Sequence, residues 1–182
     1  MTAPACACEV AAKPALPPPA WDGEKMFAEY AAKGCTVPTP GPEGRVEAYV
    51  AIDPQCPKSM ALFRAAKPLA DRLCVRWLLI AAVNFNSDPQ STMILMSEDP
   101  WKKLNEHVDH FGDEAFRGLP VDQKEVWKLP QEVRMKVWAN SKLARWNGTR
   151  GLPLGVVKTR SGEYRALTAG MSTGDIAVAS GL

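Results

Sequence analysis

The stretch from Arg45 to Phe63 constrains this chain more than any other, because it reads as a strand, a sharp turn and a helix that opens on a cysteine. Val46, Ala48, Val50 and Ile52 alternate with less apolar neighbours, which is the two-residue period of a strand. Asp53-Pro54 breaks that strand, and from Cys56 onward Met60, Phe63, Ala66 and Lys67 recur at helical spacing. Cys56 therefore falls at a helix N-terminus, with Pro57 in the first turn, where the missing N–H costs nothing. Unpaired backbone N–H groups and the positive end of the helix dipole favour a thiolate there over a thiol. A thiol so placed is a candidate nucleophile.

Downstream, Pro68 suggests a kink in that helix, since an interior proline removes a hydrogen bond. Leu73 to Val83 is a long β-prone run, apolar enough for a central strand covered on both faces. Strand, helix, strand makes a right-handed βαβ unit with parallel strands. Cys74 on the second strand reads as a small core residue; the sharper reading, a partner for Cys56, requires it to approach the helix cap. From 88 to 147 the pattern is helical, with breaks at Pro100, Gly112, Gly118-Leu119-Pro120 and Pro130. His107 and His110 fall on one such helix at i, i+3, and without an obvious third ligand they are expected to face solvent rather than hold a metal. Trp101, Trp127, Trp138 and Trp146 could line a groove, but the expectation is that two or more are core. Leu154 to Thr159 and Glu163 to Ala169 flank Arg160-Ser161-Gly162 as a β-hairpin, and a short final helix follows, capped by Ser172 or Thr173.

Ahead of residue 45 the chain is different. Residues 1–20 are rich in Ala and Pro, with Pro17-Pro18-Pro19 favouring an extended tail. Residues 21–44 read as a short amphipathic helix and a stiff connector. Asp22 is the expected cap, Met26, Phe27 and Tyr30 form the apolar face, Gly34 is the stop, and the helix is expected to dock on the body. Residues 45–182 then form the main domain. Five cysteines, at positions 6, 8, 35, 56 and 74, fit neither a dense disulfide scaffold nor a zinc site. Cys6 and Cys8 are badly spaced for an unstrained mutual disulfide. They read as incidental residues near a processing site, the alternative being a redox pair or a partner-linking thiol.

Lys plus Arg exceed Asp plus Glu by 22 − 20 = 2, so nothing argues for nucleic acid or an anionic membrane as partner. No apolar run is long enough to span a membrane, and residues 1–20 lack the basic start and apolar core of an intact signal peptide. No cofactor or metal is expected.

Tyr49-Val50-Ala51-Ile52-Asp53-Pro54-Gln55-Cys56-Pro57-Lys58-Ser59 resembles the strand-to-active-site turn of the thioredoxin-fold disulfide isomerases of the DsbC and DsbG type, which carry a D-P-x-C-P-x-C run there. Ser59 stands where the family has its second, resolving cysteine. Trp146 to Val157 is similar to the family's loop that ends in a cis-proline before a buried strand, and Pro153 would be that proline. The resemblance covers most of residues 45–182. It implies an α/β, thioredoxin-like fold with a helical insertion at about 88–147, preceded by the Pro-rich tail and the one short helix. It also implies a periplasmic location, the secretion signal being absent from this sequence; the alternative is cytosolic residence, with exchange against glutathione. The family dimerises through an N-terminal domain for which there is no room before residue 45, so a monomer is expected.

In a C-x-x-C enzyme the first thiolate attacks a substrate disulfide and the second cysteine releases the product. Ser59 cannot perform that second step, so resolution must come from a substrate thiol, glutathione or a redox partner protein. Isomerisation needs no more than that. Ser59 is expected to donate a hydrogen bond to the Cys56 thiolate, and Lys58 to add electrostatic stabilisation. A cis-Pro153 would present strand-like hydrogen bonds to a bound peptide, with Pro57, Lys58 and Leu152 beside it. Leu152 replaces the threonine usual in the isomerases and makes the site more apolar, which opposes ionisation. Three readings follow. One is a monothiol exchange protein acting on protein substrates with cysteines or disulfides. Another is a redox-inactive binding module in an envelope-associated assembly. The third is an engineered Cys-to-Ser trap of a dithiol enzyme.

Overall fold

In the computed structural model, which describes residues 13–182, a five-stranded sheet separates two helical layers. The strands are β1 (Thr36–Pro38), β2 (Val46–Ile52), β3 (Leu73–Leu79), β4 (Leu154–Lys158) and β5 (Tyr164–Thr168), in the spatial order β1-β3-β2-β4-β5. β2 and β3 are parallel and the other pairs antiparallel. The helices are α1 (Gly23–Lys33), α2 (Pro57–Ala66), α3 (Ser87–Leu95), α4 (Pro100–Asp109), α5 (Gln131–Trp146) and α6 (Thr173–Ser180).

The alternation along β2 sorts the two cores. Val46, Ala48, Val50 and Ile52 point into a cluster with Met60, Phe63 and Ala66 of α2, Ile94 of α3, Leu104 and Val108 of α4 and Ile176 of α6. Tyr49 and Ala51 point the other way, onto Met26 and Tyr30 of α1 and Leu143 and Ala144 of α5. Both faces are dry, as a central strand with helices on either side requires. Phe63 packs on Trp77 and Trp101 with centroid separations of 4.9 and 5.4 Å, and truncating a fully buried ring of this kind costs about 3–5 kcal/mol. Gly155 allows β4 to lie close on β2, because a Cβ there would fall 2.5 Å from the Tyr49 carbonyl oxygen.

The docked N-terminal helix, the hairpin and the capped last helix take the forms expected. Asp22 caps α1 by accepting from the Lys25 N–H at 3.0 Å, and Met26 and Tyr30 are fully buried. Ser172 and Asp175 form a reciprocal capping box on α6.

Several expectations are corrected. Pro68 does not kink α2: the helix ends at Ala66, and Lys67–Leu69 forms a separate 3-10 turn with Lys67 exposed. The run from Leu73 leaves the sheet after Leu79: the Ile80 N–H still donates to the Ile52 carbonyl at 3.0 Å, but the N–H groups beyond it find side-chain acceptors, Ala81 on Ser141 and both Ala82 and Val83 on Asp53. The connector after Cys35 contributes β1, whose three residues pair with Arg76 to Leu78. The expectation of two or more core tryptophans fails. Of those four, only Trp101 packs on a core, while Trp127, Trp138 and Trp146 are exposed, each with a cation 4.8–5.5 Å from its ring. The apolar stripe of α5 runs through Val133, Val137, Leu143 and Ala144, and Trp138 and Trp146 lie off it.

Candidate active site

β2 ends beneath the N-terminus of α2, and the turn between them is short. The Cys56 N–H donates to the Asp53 carbonyl at 3.0 Å, and the Cys56 carbonyl accepts the first helical bond, from Met60, at 3.1 Å. Cys56 is thus the N-cap of α2 with Pro57 following it. The residue is 9 % exposed, and its sulfur lies 3.9 Å from the Leu152 carbonyl oxygen. That carbonyl belongs to a cis Leu152–Pro153 peptide bond, so the loop between α5 and β4 forms the wall opposite the helix cap. The structure therefore brings together Cys56, Pro57, Leu152 and Pro153. Lys58 is exposed at the mouth, on the rim of a cleft of about 460 Å³ that it shares with Arg150, Leu152, Pro153 and the segment around Pro18.

Ser59 is close in sequence but differently engaged. It is fully buried, and its Oγ accepts from the Asp53 N–H at 3.4 Å. No hydrogen bond joins Ser59 to Cys56 among the described residues, so the expected donation to the sulfur is absent here. Cys74 sits beside Glu47 at the far end of β2, its sulfur 3.8 Å from the Thr39 carbonyl oxygen, and does not approach Cys56. Cys35, Cys56 and Cys74 are all free thiols, and Cys6 and Cys8 lie outside the described residues.

Beneath the turn is a polar network that sequence reasoning missed. Asp53 is fully buried and forms no ion pair among the described residues, and its two oxygens are met by four donors. Oδ1 accepts from the Gln55 N–H and the Ser87 hydroxyl, both at 2.8 Å; Oδ2 accepts from the Ala82 and Val83 N–H groups at 2.7 and 2.9 Å. A buried carboxylate is tolerable only when satisfied in this way. Gln55 extends the network into the helical insert. Its amide donates to Gln90 Oε1 at 2.6 Å and to the Phe116 carbonyl at 2.8 Å, and it accepts from Asn84 at 3.0 Å. The available signal was the Asp-Pro-Gln triplet itself, since polar side chains directly after a doubly covered strand must find partners.

His107 contradicts the expectation of a solvent-facing side chain. It lies on the buried stripe of α4 with Leu104 and Val108, while His110 follows the end of that helix and is exposed. His107 Nε2 is 2.8 Å from the Pro54 carbonyl oxygen, and Nδ1 accepts from the Leu119 N–H at 3.3 Å, which assigns the proton to Nε2. Burial holds the imidazole below its ordinary pKa, opposed by the Pro54 carbonyl and assisted by His110. Gly118, at φ +114°, lies against the ring, and a Cβ there would fall 2.2 Å from it. Among the described residues no group of three or more His, Cys, Asp or Glu is placed to hold a metal, and no helix is long and apolar enough to cross a membrane.

No protein-family model matches the chain. The thiol:disulfide interchange protein DsbG of Pseudomonas aeruginosa is 27% identical over 117 residues, which are 61% of this chain and 43% of the relative, so the chain spans less than half of that protein. Among solved structures, the catalytic domain of Proteus mirabilis ScsC superposes with a TM-score of 0.66 at 13% identity, covering 88% of this chain and 97% of that one. A periplasmic thioredoxin-like protein from Salmonella enterica serovar Typhimurium superposes with a TM-score of 0.58 at 10% identity, covering 86% and 94%. The fold is thioredoxin-like.

Proposed function

We propose that this chain, a thioredoxin-fold protein of the DsbC/DsbG thiol:disulfide interchange type, exchanges disulfides with protein substrates through the single sulfur of Cys56. The observation that carries the reading is the placement of that sulfur. It caps α2, where the helix dipole favours a thiolate, and it faces the cis Leu152–Pro153 loop at 3.9 Å. The thiolate attacks a substrate disulfide, one substrate sulfur leaves, and a mixed disulfide remains on Cys56. With Ser59 in place of a second thiol, a substrate thiol or an external one completes the cycle, which is the requirement of isomerisation. Pro153 and Leu152 offer a backbone edge to the substrate peptide, and Lys58 lies at the mouth. Similarity to DsbG and to a periplasmic thioredoxin-like protein supports action outside the cytoplasm. In this reading the chain acts as a monomer.

The second reading, a binding module that uses the groove without exchange, is favoured by the 9 % exposure of Cys56. The alkylation rate of Cys56 against pH, read by peptide mass spectrometry, separates the two. A midpoint well below the free-cysteine value of about 8.5, with fast modification, supports exchange. Slow modification without a depressed midpoint removes it and leaves the binding module.

A further inference from the structure

Two clefts meet at the loop that faces Cys56, and both are edged with cations. The smaller, of about 100 Å³, is lined by Arg145 in the last turn of α5, by Arg150 and by Leu152. The larger, of about 460 Å³, is lined by Lys58, Arg150, Leu152 and Pro153. Neither contains the Cys56 sulfur, but Leu152 belongs to both, and its carbonyl oxygen lies 3.9 Å from that sulfur. Lys58 follows Cys56 by two residues, in the first turn of α2. Because Arg150 is common to both clefts, Lys58, Arg150 and Arg145 run as a row along the cis-proline loop. All three are exposed, and none forms an ion pair among the described residues, whereas Arg134 on the same helix as Arg145 is neutralised by Asp88. No Asp or Glu lines either cleft. The small net charge of +2 for the whole chain conceals this local excess, and unopposed cations on the rims of low-dielectric clefts concentrate a positive potential there.

We propose that the row Lys58–Arg150–Arg145 selects protein substrates whose cysteine is flanked by acidic side chains. The inference rests on the exchange reading of Cys56 and names the class of substrate. A small anion engages one cleft at a time. An extended polypeptide laid along the Leu152–Pro153 loop presents side chains about every 3.3 Å, on alternating sides, and so reaches cations in both clefts while its sulfur stays at Cys56. Each exposed charge pair of this kind is worth about 1.5- to 5-fold, so the three together favour an acidic segment on the order of tenfold. The effect is mainly on the rate of encounter and is lost as salt screens it.

The test uses the full chain and three peptides, alike except that the residues on both sides of a single cysteine are Asp, Ser or Lys. Each is activated as a mixed disulfide with thiopyridine. The Cys56 thiolate attacks the peptide sulfur, the bond to the pyridine sulfur breaks, and thiopyridine leaves and takes up a proton. Peptide mass spectrometry after acid quench gives the rate at Cys56 alone. The Asp peptide should react faster than the Lys peptide on the order of tenfold at an ionic strength of about 0.01 M, and within about twofold of it at about 1 M. In R145Q/R150Q the low-salt ratio should fall several-fold, and in R145E/R150E it should drop below one. A low-salt ratio near one in the unsubstituted protein overturns the proposal, and so does a ratio that survives the charge reversal. The mixed disulfide of glutathione with thiopyridine, reacting as fast as the Asp peptide or faster, would overturn it in favour of a small anionic thiol. In each of those cases Cys56 still reacts and the exchange reading stands. If no probe labels Cys56 in the folded protein while all label it in urea, the exchange reading falls and this proposal falls with it.

Discussion

Replacing Asp53 by Asn tests whether the polar network holds the turn that carries Cys56. The two side chains have the same shape, but an amide presents one oxygen and one NH₂ group where the carboxylate presents two oxygens. In one orientation the NH₂ faces the Ala82 and Val83 N–H groups; in the other it faces the Gln55 N–H and the Ser87 hydroxyl. The second is less costly, because a hydroxyl can turn to accept while a backbone N–H cannot. At least one buried backbone donor is then left without an acceptor, which costs about 1–3 kcal/mol, and the surviving bonds lose their charge assistance. We expect D53N to be less stable by about 2–3 kcal/mol, which for a domain of this size lowers Tm by roughly 4–12 °C. D53A deprives all four donors and should cost about 4 kcal/mol or more. Urea unfolding provides the assay, read as a shift of midpoint at constant slope. D53N within about 0.5 kcal/mol of the unsubstituted protein, the range of an ordinary surface change, would refute the reasoning, since bonds so readily replaced cannot be what fixes the turn.

Gly118→Ala sets a methyl group 2.2–2.3 Å from the His107 ring at φ +114° and should cost roughly 2–4 kcal/mol, measured by the same unfolding midpoint. Because burial depresses the His107 pKa, the unfolded chain binds the proton more readily than the folded one. Stability contributed by the neutral ring is present above the ordinary value of about 6.5 and falls as pH drops through it. H107Q should flatten that part of a stability profile taken between pH 5 and 8. Ser59→Cys restores a second sulfur at a fully buried, well-matched site. It should change stability by no more than about 1 kcal/mol and, in a glutathione buffer, yield a disulfide between Cys56 and the introduced thiol, detected by mass spectrometry.

What could be read from the sequence, and what could not, divides along periodicity. β2, α2 and the hairpin were legible because their apolar residues recur at two or at three-to-four positions and are bounded by Asp53-Pro54 and Gly162. The placement of Cys56 at a helix cap followed from the same pattern. β1 was not legible: three residues carry no period, and Val37 is buried only because β3 offers an open edge. The end of β3 was missed because Ile80 to Val83 is as apolar as the strand itself, and only side chains distant in the chain, Ser141 for Ala81 and Asp53 for Ala82 and Val83, divert its N–H groups. His107 and the exposed tryptophans were misjudged in opposite directions, polarity and size being poor guides to side-chain orientation once a helix has two candidate faces. Helix α4 buries His107 because the Pro54 carbonyl needs a donor.

That donor clarifies what the insert does for the site. A thioredoxin-like turn needs its cysteine aimed at the groove, yet the turn residues Asp53, Pro54 and Gln55 present several polar groups to a dry interior. Each is matched from the insert or the loop leading into it: Ser87, Ala82 and Val83 on Asp53, His107 on Pro54, Gln90, Asn84 and the Phe116 carbonyl on Gln55. None of these groups hydrogen-bonds the sulfur, whose partner among the described residues is the Leu152 carbonyl. The network fixes backbone position without altering the thiol's immediate surroundings, so exchange chemistry at Cys56 is left to the helix cap and the Leu152 carbonyl. A substitution in the insert should accordingly change how often the turn opens, and hence the alkylation rate at every pH by a common factor. A substitution at Leu152 or Lys58 should shift the pH midpoint itself. Observing the reverse assignment would show that the insert acts on the thiol electrostatically, and that the separation between scaffold and chemistry argued from these bonds is wrong.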